Sequence, residues 1–304
     1  MTMRLLLTGA GGFVAGSILR QALDGWEVVA LSRGAARLLR PGLTWHTADI
    51  CDAAQTAAAF ESFRPHAVIH AAAIADIDYC EAHQEAATRV NVTATRHIAA
   101  QCALRGCRLI YLSTDTVFDG ERGAYGEEDA PNPLNHYAAT KVEAEQVVAG
   151  AGCPSVTARV ALVMGLPMLG AGNSFLSRML PVLAQGRELG VPDQEIRSPI
   201  DVVTLGRALL ELAQSDFTGV LHLAGNDWLN RCAMVRRIAE CFGFDPALVK
   251  PTNPIHLPGR APRPRDVSLR NDRARAVLRT PMQDLDGGIA LILETRDRSQ
   301  YISQ

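Results

Sequence analysis

The most constraining stretch of this sequence is LLLTGAGGFVAG at 5–16, an apolar run that breaks into glycines at 9, 11, 12 and 16. A strand that runs into such a turn and then into a helix leaves few choices of fold. Glycine permits a tight turn and lets an anion approach backbone N–H groups at the helix N-terminus. The spacing fits G-x-x-G-x-x-G/A through Gly9, Gly12 and Ala15. Alone, the pattern also suits a plain strand–helix turn. At the head of an alternating chain it reads as the pyrophosphate turn of a dinucleotide site, with Gly9, Gly11, Gly12, Phe13 and Val14 as contacts.

The rest of the first half keeps that alternation. Strand-type runs lie at 4–9, 26–32, 43–48, 67–73, 108–113 and 155–163, with helical patterns near 13–23, 53–63, 84–105 and 136–149. Strands apolar on both faces, alternating with helices, predict a parallel sheet covered on both sides. The fold class expected is α/β, a Rossmann-like doubly wound parallel sheet with a smaller C-terminal substrate-binding lobe. Residues 1–163 form the dinucleotide-binding part, and 196–224 supply a helix and strand that rejoin the sheet. Segments 164–195 and 225–304, with helices near 174–185 and 230–242, make the lobe. There is no internal repeat and no low-complexity tract.

Composition removes several alternatives. A net charge of −2 over 304 residues gives no bias toward nucleic acid or membrane. No run of 18 apolar residues exists, so no transmembrane helix is expected. The chain enters a strand at once, which leaves no room for a leader segment. Seven scattered cysteines show no CxxC pair and no zinc spacing. They read as free, mostly buried thiols in a reducing cytoplasm, and no metal site is expected.

The residue after the second strand of such a fold reads the adenosine ribose: an acid favours NAD, a base the 2′-phosphate of NADP. Here stand Ser32 and Arg33, so NADP(H) is preferred and NAD(H) is the second choice. Asp49 and Ile50 follow the third strand, at the adenine. Ala71, Ala72 and Ala73 follow the fourth, where small side chains would let a cofactor lie flat; as core residues they would look no different.

Tyr137 and Lys141 are four apart on the helix that follows the fifth strand, so they share a face. That strand ends in Ser113, Thr114, Asp115 and Thr116. Hydride transfer to a ketone builds negative charge on the carbonyl oxygen. A phenol can protonate it, but a free tyrosine has a pKa near ~10. A neighbouring ammonium stabilises the phenolate and lowers that value. Lys141 is expected to do so while holding the nicotinamide ribose, and the Thr114 hydroxyl to hold the same oxygen as a second donor.

With these residues in place the sequence resembles the extended short-chain dehydrogenase/reductase superfamily, and within it the dTDP-4-dehydrorhamnose reductase-like family. The resemblance covers nearly the whole chain. It rests on TGAGGFV, VIHAAA, RVNVTAT, STDTVFDG, YAATK, NSF at 173–175 and RPRDVSL at 263–269. It implies Thr114, Tyr137 and Lys141 as the catalytic triad, with Tyr137, Lys141 and Ser113 also at the cofactor. It implies Asn91 as a cofactor-side residue supporting the active-site helices, and a nucleotide-linked 4-ketohexose as substrate. It also implies a homodimer through the helices at 84–105 and 136–149.

Two positions depart from the family: Thr116 stands where a tyrosine is usual, and Leu162 where a tryptophan is usual. Related dehydratases carry Glu at position 116, and a threonine hydroxyl cannot serve as that base. An epimerase would need a further acid/base pair, and none is identifiable; a sugar-nucleotide epimerase stays as a further alternative. A branch of the superfamily that serves as regulatory subunit of methionine adenosyltransferase keeps the same stretch, so a partner-binding protein with little turnover is the alternative.

Substrate contacts are expected from Asp115, Thr116, Asn173, Arg260 and Arg263. The last two lie in GRAPRPRD, where planar guanidinium groups suit a pyrophosphate; a solvated loop is the plainer reading. Arg231 reads as structural, His136 as partly exposed, and His70 as a satisfied core or cofactor-side histidine rather than a metal ligand.

Overall fold

The computed structural model describes residues 2–169, 174–253 and 259–301, the last six of these by backbone alone. The expected Asn173 contact lies outside the described residues. Along the chain come β1 (Met3–Thr8), α1 (Phe13–Gln21), β2 (Trp26–Ser32), β3 (Leu43–Thr47), α2 (Ala53–Phe63) and β4 (Ala67–His70). Then follow α3 (Ile77–Ala82), α4 (Gln84–Thr88), a π turn (Arg89–Thr93), α5 (Ala94–Arg105), β5 (Arg108–Thr114), a 3-10 turn (Asp115–Val117), α6 (His136–Ala149) and β6 (Ser155–Val160). The remainder is β7 (Val163–Met164), α7 (Phe175–Ala184), β8 (Leu189–Pro192), β9 (Ile196–Arg197), β10 (Ile200–Asp201), α8 (Val202–Gln214) and β11 (Gly219–Leu223). It ends in β12 (Leu229–Asn230), α9 (Arg231–Cys241), β13 (Val249–Thr252), α10 (Asp272–Val277) and α11 (Leu285–Tyr301).

Seven strands form one sheet in the order β11-β6-β5-β4-β1-β2-β3, every pair parallel. This is the Rossmann-like sheet expected from runs apolar on both faces. Leu5 and Leu7 pack on one side with Ile18 and Leu19 of α1 and Leu205 and Leu209 of α8. Leu6 faces the other way, with Phe60 of α2, Ile98 of α5 and Val148 of α6. α8 and β11 arrive from the later part of the chain. Ser17 Oγ donates to the Val202 carbonyl at 2.7 Å, and Gln21 Nε2 to that of Val203 at 3.1 Å, tying α8 against α1.

Some expectations shift. β4 stops at His70 rather than 73, because the Ala72 N–H turns to Thr8 Oγ1 at 3.2 Å instead of a ladder partner. β6 stops at Val160, and β7 pairs with β10 outside the sheet. Helix α3 carries no strong sequence signal; Asp76 caps it by accepting from the Tyr79 N–H. The helix expected at 84–105 is interrupted by the π turn, which contains Asn91. Such insertions often mark functional positions. A third apolar cluster, with Leu176 and Met179 of α7, Val235 and Ile238 of α9, and Ile289 and Ile292 of α11, forms away from the sheet.

Candidate active site

Thr8, Ser32, His70 and Thr114 are the last residues of their strands, so the polar groups gather at the carboxyl edge of the sheet. Gly9 has φ of +67°, and a Cβ there would lie 2.7 Å from the backbone N and Cα of Ala72. Only glycine fits between β1 and the chain leaving β4. The Gly12 N–H closes the turn on the Gly9 carbonyl at 2.8 Å. α1 then begins with no side-chain cap, whereas Asp52 caps α2 and Asn135 caps α6. The N–H groups of its first turn, beginning at Phe13 and Val14, have no side chain capping them and suit an anion. This cradle fits a dinucleotide pyrophosphate.

At the adenosine end, Ser32 Oγ and the Arg37 guanidinium approach the turn, 3.6 and 3.7 Å from where a Gly11 Cβ would stand. Arg37 Nη1 donates to the Gly11 carbonyl at 3.0 Å. Arg33, the base named from sequence, is exposed, and it and Arg89 lie near Cys51. The Asp49 carboxylate accepts from the Cys51 N–H at 3.0 Å, and Ile50 is buried in the core beneath it. Ala71 and Ala72 are half-buried and Ala73 is exposed.

Thr114, Tyr137 and Lys141 come together where β5 ends and α6 begins. Thr114 Oγ1 lies 3.0 Å from Thr116 Oγ1 and donates to Asp115 at 3.2 Å. The Tyr137 side chain packs among Cys80, Ala87, Ile74 and Ile77. Lys141 is 3% exposed; its Nζ donates to the Leu112 carbonyl at 2.6 Å and lies 4.3 Å from the Tyr111 ring centroid. Burial pushes the Lys141 ammonium down to about 7, with Glu145 acting the other way. Burial likewise pushes the Tyr137 phenol well up, and a hydrogen bond with Thr114 pulls it back only in part. The expected lowering of Tyr137 by Lys141 is therefore not seen in the protein alone: desolvation dominates, and the Lys141 Nζ is engaged by a carbonyl and a ring.

Ser113 and Asn91, expected at the cofactor, are both engaged by other side chains. Successive strand residues point to opposite faces, and Ser113 turns away from Thr114 to donate to Glu145. Asn91 is 1% exposed, and its amide clamps the chain after β4 to α6. It accepts from the Ile74 N–H at 2.8 Å and donates to the Ile74 carbonyl at 3.1 Å and to Thr140 at 3.0 Å. His70 meets Thr8 at 2.7 Å and Thr95 at 3.0 Å as a satisfied core residue, and burial holds it down at about 3.

Beyond Thr114 the site is charged. Asp115 is 4% exposed, and its Oδ2 has no hydrogen-bond partner. Burial pushes it up to about 6, against the opposing charge of Arg197. Burial also pushes Glu195 up, but its arginines hold it below the usual range: Arg197 at 3.4 Å, Arg231 at 2.9 Å and Arg260 at 2.7 Å. Arg263 is held in two bonds by Asp78 of α3, at 2.7 and 2.8 Å. Arg260, Arg263 and Arg265 line one small cavity with Glu195 and Gln194. The two arginines named from sequence thus sit together but are already engaged by carboxylates. Sequence reasoning missed Glu195 and Arg197, and read Arg231 as structural.

Asp115 makes a clean pH test. Its folded pKa is raised, so ionisation costs stability: nothing below the ordinary carboxylate range, more as pH rises through ~4 to ~6, the full amount above. Asp115→Asn is expected to raise Tm by a few degrees at pH 8 and not at pH 4. A lower Tm at pH 8 would show that the charge is stabilising.

Residues 3–297 match the RmlD substrate binding domain. The chain is 32% identical over 310 residues to dTDP-4-dehydrorhamnose reductase of Mycobacterium tuberculosis (strain CDC 1551 / Oshkosh), covering 99% of this chain and 96% of that protein. It is 29% identical over 272 residues to methionine adenosyltransferase 2 subunit beta of Bos taurus, covering 88% and 80%. Its fold matches the crystal structure of dTDP-4-dehydrorhamnose reductase from Bacillus anthracis str. Ames in complex with NADP, with a TM-score of 0.84, 24% identity and coverage of 97% and 100%. With the glycine cradle, the seven-stranded parallel sheet and a family match over almost all of its length, the chain belongs to the RmlD substrate binding domain family.

Proposed function

We propose that this protein is an NADP(H)-preferring reductase of a nucleotide-linked 4-keto-6-deoxy sugar. The observation that carries it is the grouping of Thr114, Tyr137 and Lys141 at the sheet edge that also holds the glycine cradle. Bound NADPH supplies the hydride. Tyr137 gives its proton to the oxygen on which charge builds, and Thr114 orients that oxygen as a second donor. Lys141 holds positive charge beside the phenol. Asp115 and Thr116 would contact the sugar, and Arg231, Arg260, Arg263 and Arg265 its diphosphate. Segments 164–195 and 225–304 act as the substrate lobe, closing over the dinucleotide-binding part formed by 1–163 and 196–224. Arg37, bonded over the glycine turn, supports NADP preference together with Arg33. A cytoplasmic homodimer through α4–α5 and α6 accords with the exposed Ala100, Ala103 and Leu104 on α5.

The second reading, a cofactor-binding regulatory subunit, is favoured by the likeness to methionine adenosyltransferase 2 subunit beta. One experiment separates the two. NADPH oxidation that requires dTDP-4-keto-6-deoxyhexose supports the reductase; tight NADPH binding with no turnover supports the regulatory reading. Arg37→Ala is expected to weaken NADPH at least about tenfold and leave NADH unchanged, as loss of a charge-assisted phosphate contact would. Equal losses for both cofactors would remove Arg37 from the specificity argument.

A further inference from the structure

Behind Lys141 lies a buried cluster that the mechanism above does not use. Glu145 follows Lys141 by one helical turn on α6, so the two share a face. They form no hydrogen bond. The Glu145 carboxylate is taken from the other side, by the Ser113 hydroxyl and by Arg159 of β6. Arg159 Nε lies 3.1 Å from Oε1, and Nη2 lies 2.9 Å from Oε2. The Arg159 and Glu145 side chains are 5% and 10% exposed. A buried ion pair is a poor device for stability, since desolvation offsets its attraction. Its placement one turn from the active-site lysine calls for another role.

We propose that the Ser113–Glu145–Arg159 cluster is a positioning device that sets the charge of Lys141: Arg159 keeps Glu145 from pairing with the lysine, while the carboxylate's field still reaches it. The proposal rests on the reading of Lys141 as the cation beside Tyr137. A direct Lys141–Glu145 pair would fix the ammonium permanently charged and draw it down α6, away from Tyr137. In the structure Lys141 instead stays on the Leu112 carbonyl and over the Tyr111 ring. The charged and titratable groups around it are few. β5 presents Tyr111, α6 presents Tyr137 and Glu145, α3 presents Cys80, β4 presents His70, and β6 presents Arg159 behind Glu145. Glu145 is thus the one carboxylate among the described residues whose charge is seen to act on the lysine, and Arg159 is its counterweight.

Two substitutions should act in opposite directions. Arg159→Met frees Glu145 to hold Lys141 charged, and Glu145→Gln leaves Arg159 as an unbalanced cation that disfavours the lysine's charge. The measurement is NADPH affinity by fluorescence titration from pH 5 to 9, which needs no sugar substrate. Affinity should fall as Lys141 loses its proton, and titration of the cofactor's own phosphate is common to every variant. The expected result moves that fall up by about one pH unit in Arg159→Met and down by about one in Glu145→Gln. The double variant, with neither charge, returns close to wild type. Arg159→Lys, which keeps the charge, should leave the fall in place and covers the case in which Arg159→Met does not fold. Lys141→Met should abolish the fall. A fall that persists in Lys141→Met would overturn the lysine reading and this inference with it. A fall that vanishes in Lys141→Met yet stays put in both Glu145→Gln and Arg159→Met would overturn the inference alone, leaving the cluster a purely structural brace.

Discussion

Tyr137→Phe is expected to lower kcat by about 10²- to 10⁴-fold, the contribution of a positioned general acid, while NADPH binds almost as before. Removing one oxygen leaves the ring among Cys80, Ala87, Ile74 and Ile77, so the fold should be unharmed. Thr114 keeps its bonds to Asp115 and Thr116 and can still orient the carbonyl. What is lost is the group proposed to give that oxygen its proton. Because burial holds the phenol protonated in the free protein, the proton is present before substrate arrives, as reduction requires. Single-turnover NADPH oxidation by wild type and variant, at saturating cofactor, is the measurement. Turnover surviving within tenfold would mean that another group or water delivers the proton, and the assignment of Tyr137 would fall.

Gly9→Ala is expected to cost about 2–5 kcal/mol and to abolish cofactor binding. Two effects add. The left-handed φ of +67° penalises a Cβ by ~1–2 kcal/mol. The methyl would also enter space held by the Ala72 backbone, and overpacking of that kind costs ~1–3 kcal/mol. Gly106 is the control. Its φ is +64°, but nothing lies within 4 Å of its missing Cβ. Gly106→Ala should therefore cost only the backbone share, ~1–2 kcal/mol. Urea unfolding separates the two substitutions, and equal midpoints would refute the steric argument at Gly9.

What could be read from the sequence follows from how local each signal is. The parallel sheet announces itself because its strands are apolar on both faces, and Gly9 and Gly12 because the turn has fixed spacing. Tyr137 and Lys141 were legible because four residues is one helical turn. Ser113 lies opposite Thr114 by strand alternation, on the face with Tyr111 and Glu145, a contact that adjacency in sequence does not reveal. The π turn that carries Asn91 has no sequence rule behind it. Glu195 with Arg197, Arg231 and Arg260 was out of reach for a different reason: the partners lie up to 65 positions apart, and no periodicity links them. Arg260 and Arg263 were visible as a basic stretch, but not that carboxylates already occupy them.

The seventh strand has a consequence for synthesis. β6 is complete at Val160, but its outer neighbour β11 begins only at Gly219. At a ribosomal pace of ~5–20 residues per second, several seconds pass with an apolar strand edge open to any other chain. α8, which covers the same side of the sheet, emerges just before that strand. A nascent or truncated chain ending near residue 163 thus carries an exposed apolar edge, an aggregation hazard that the whole chain covers.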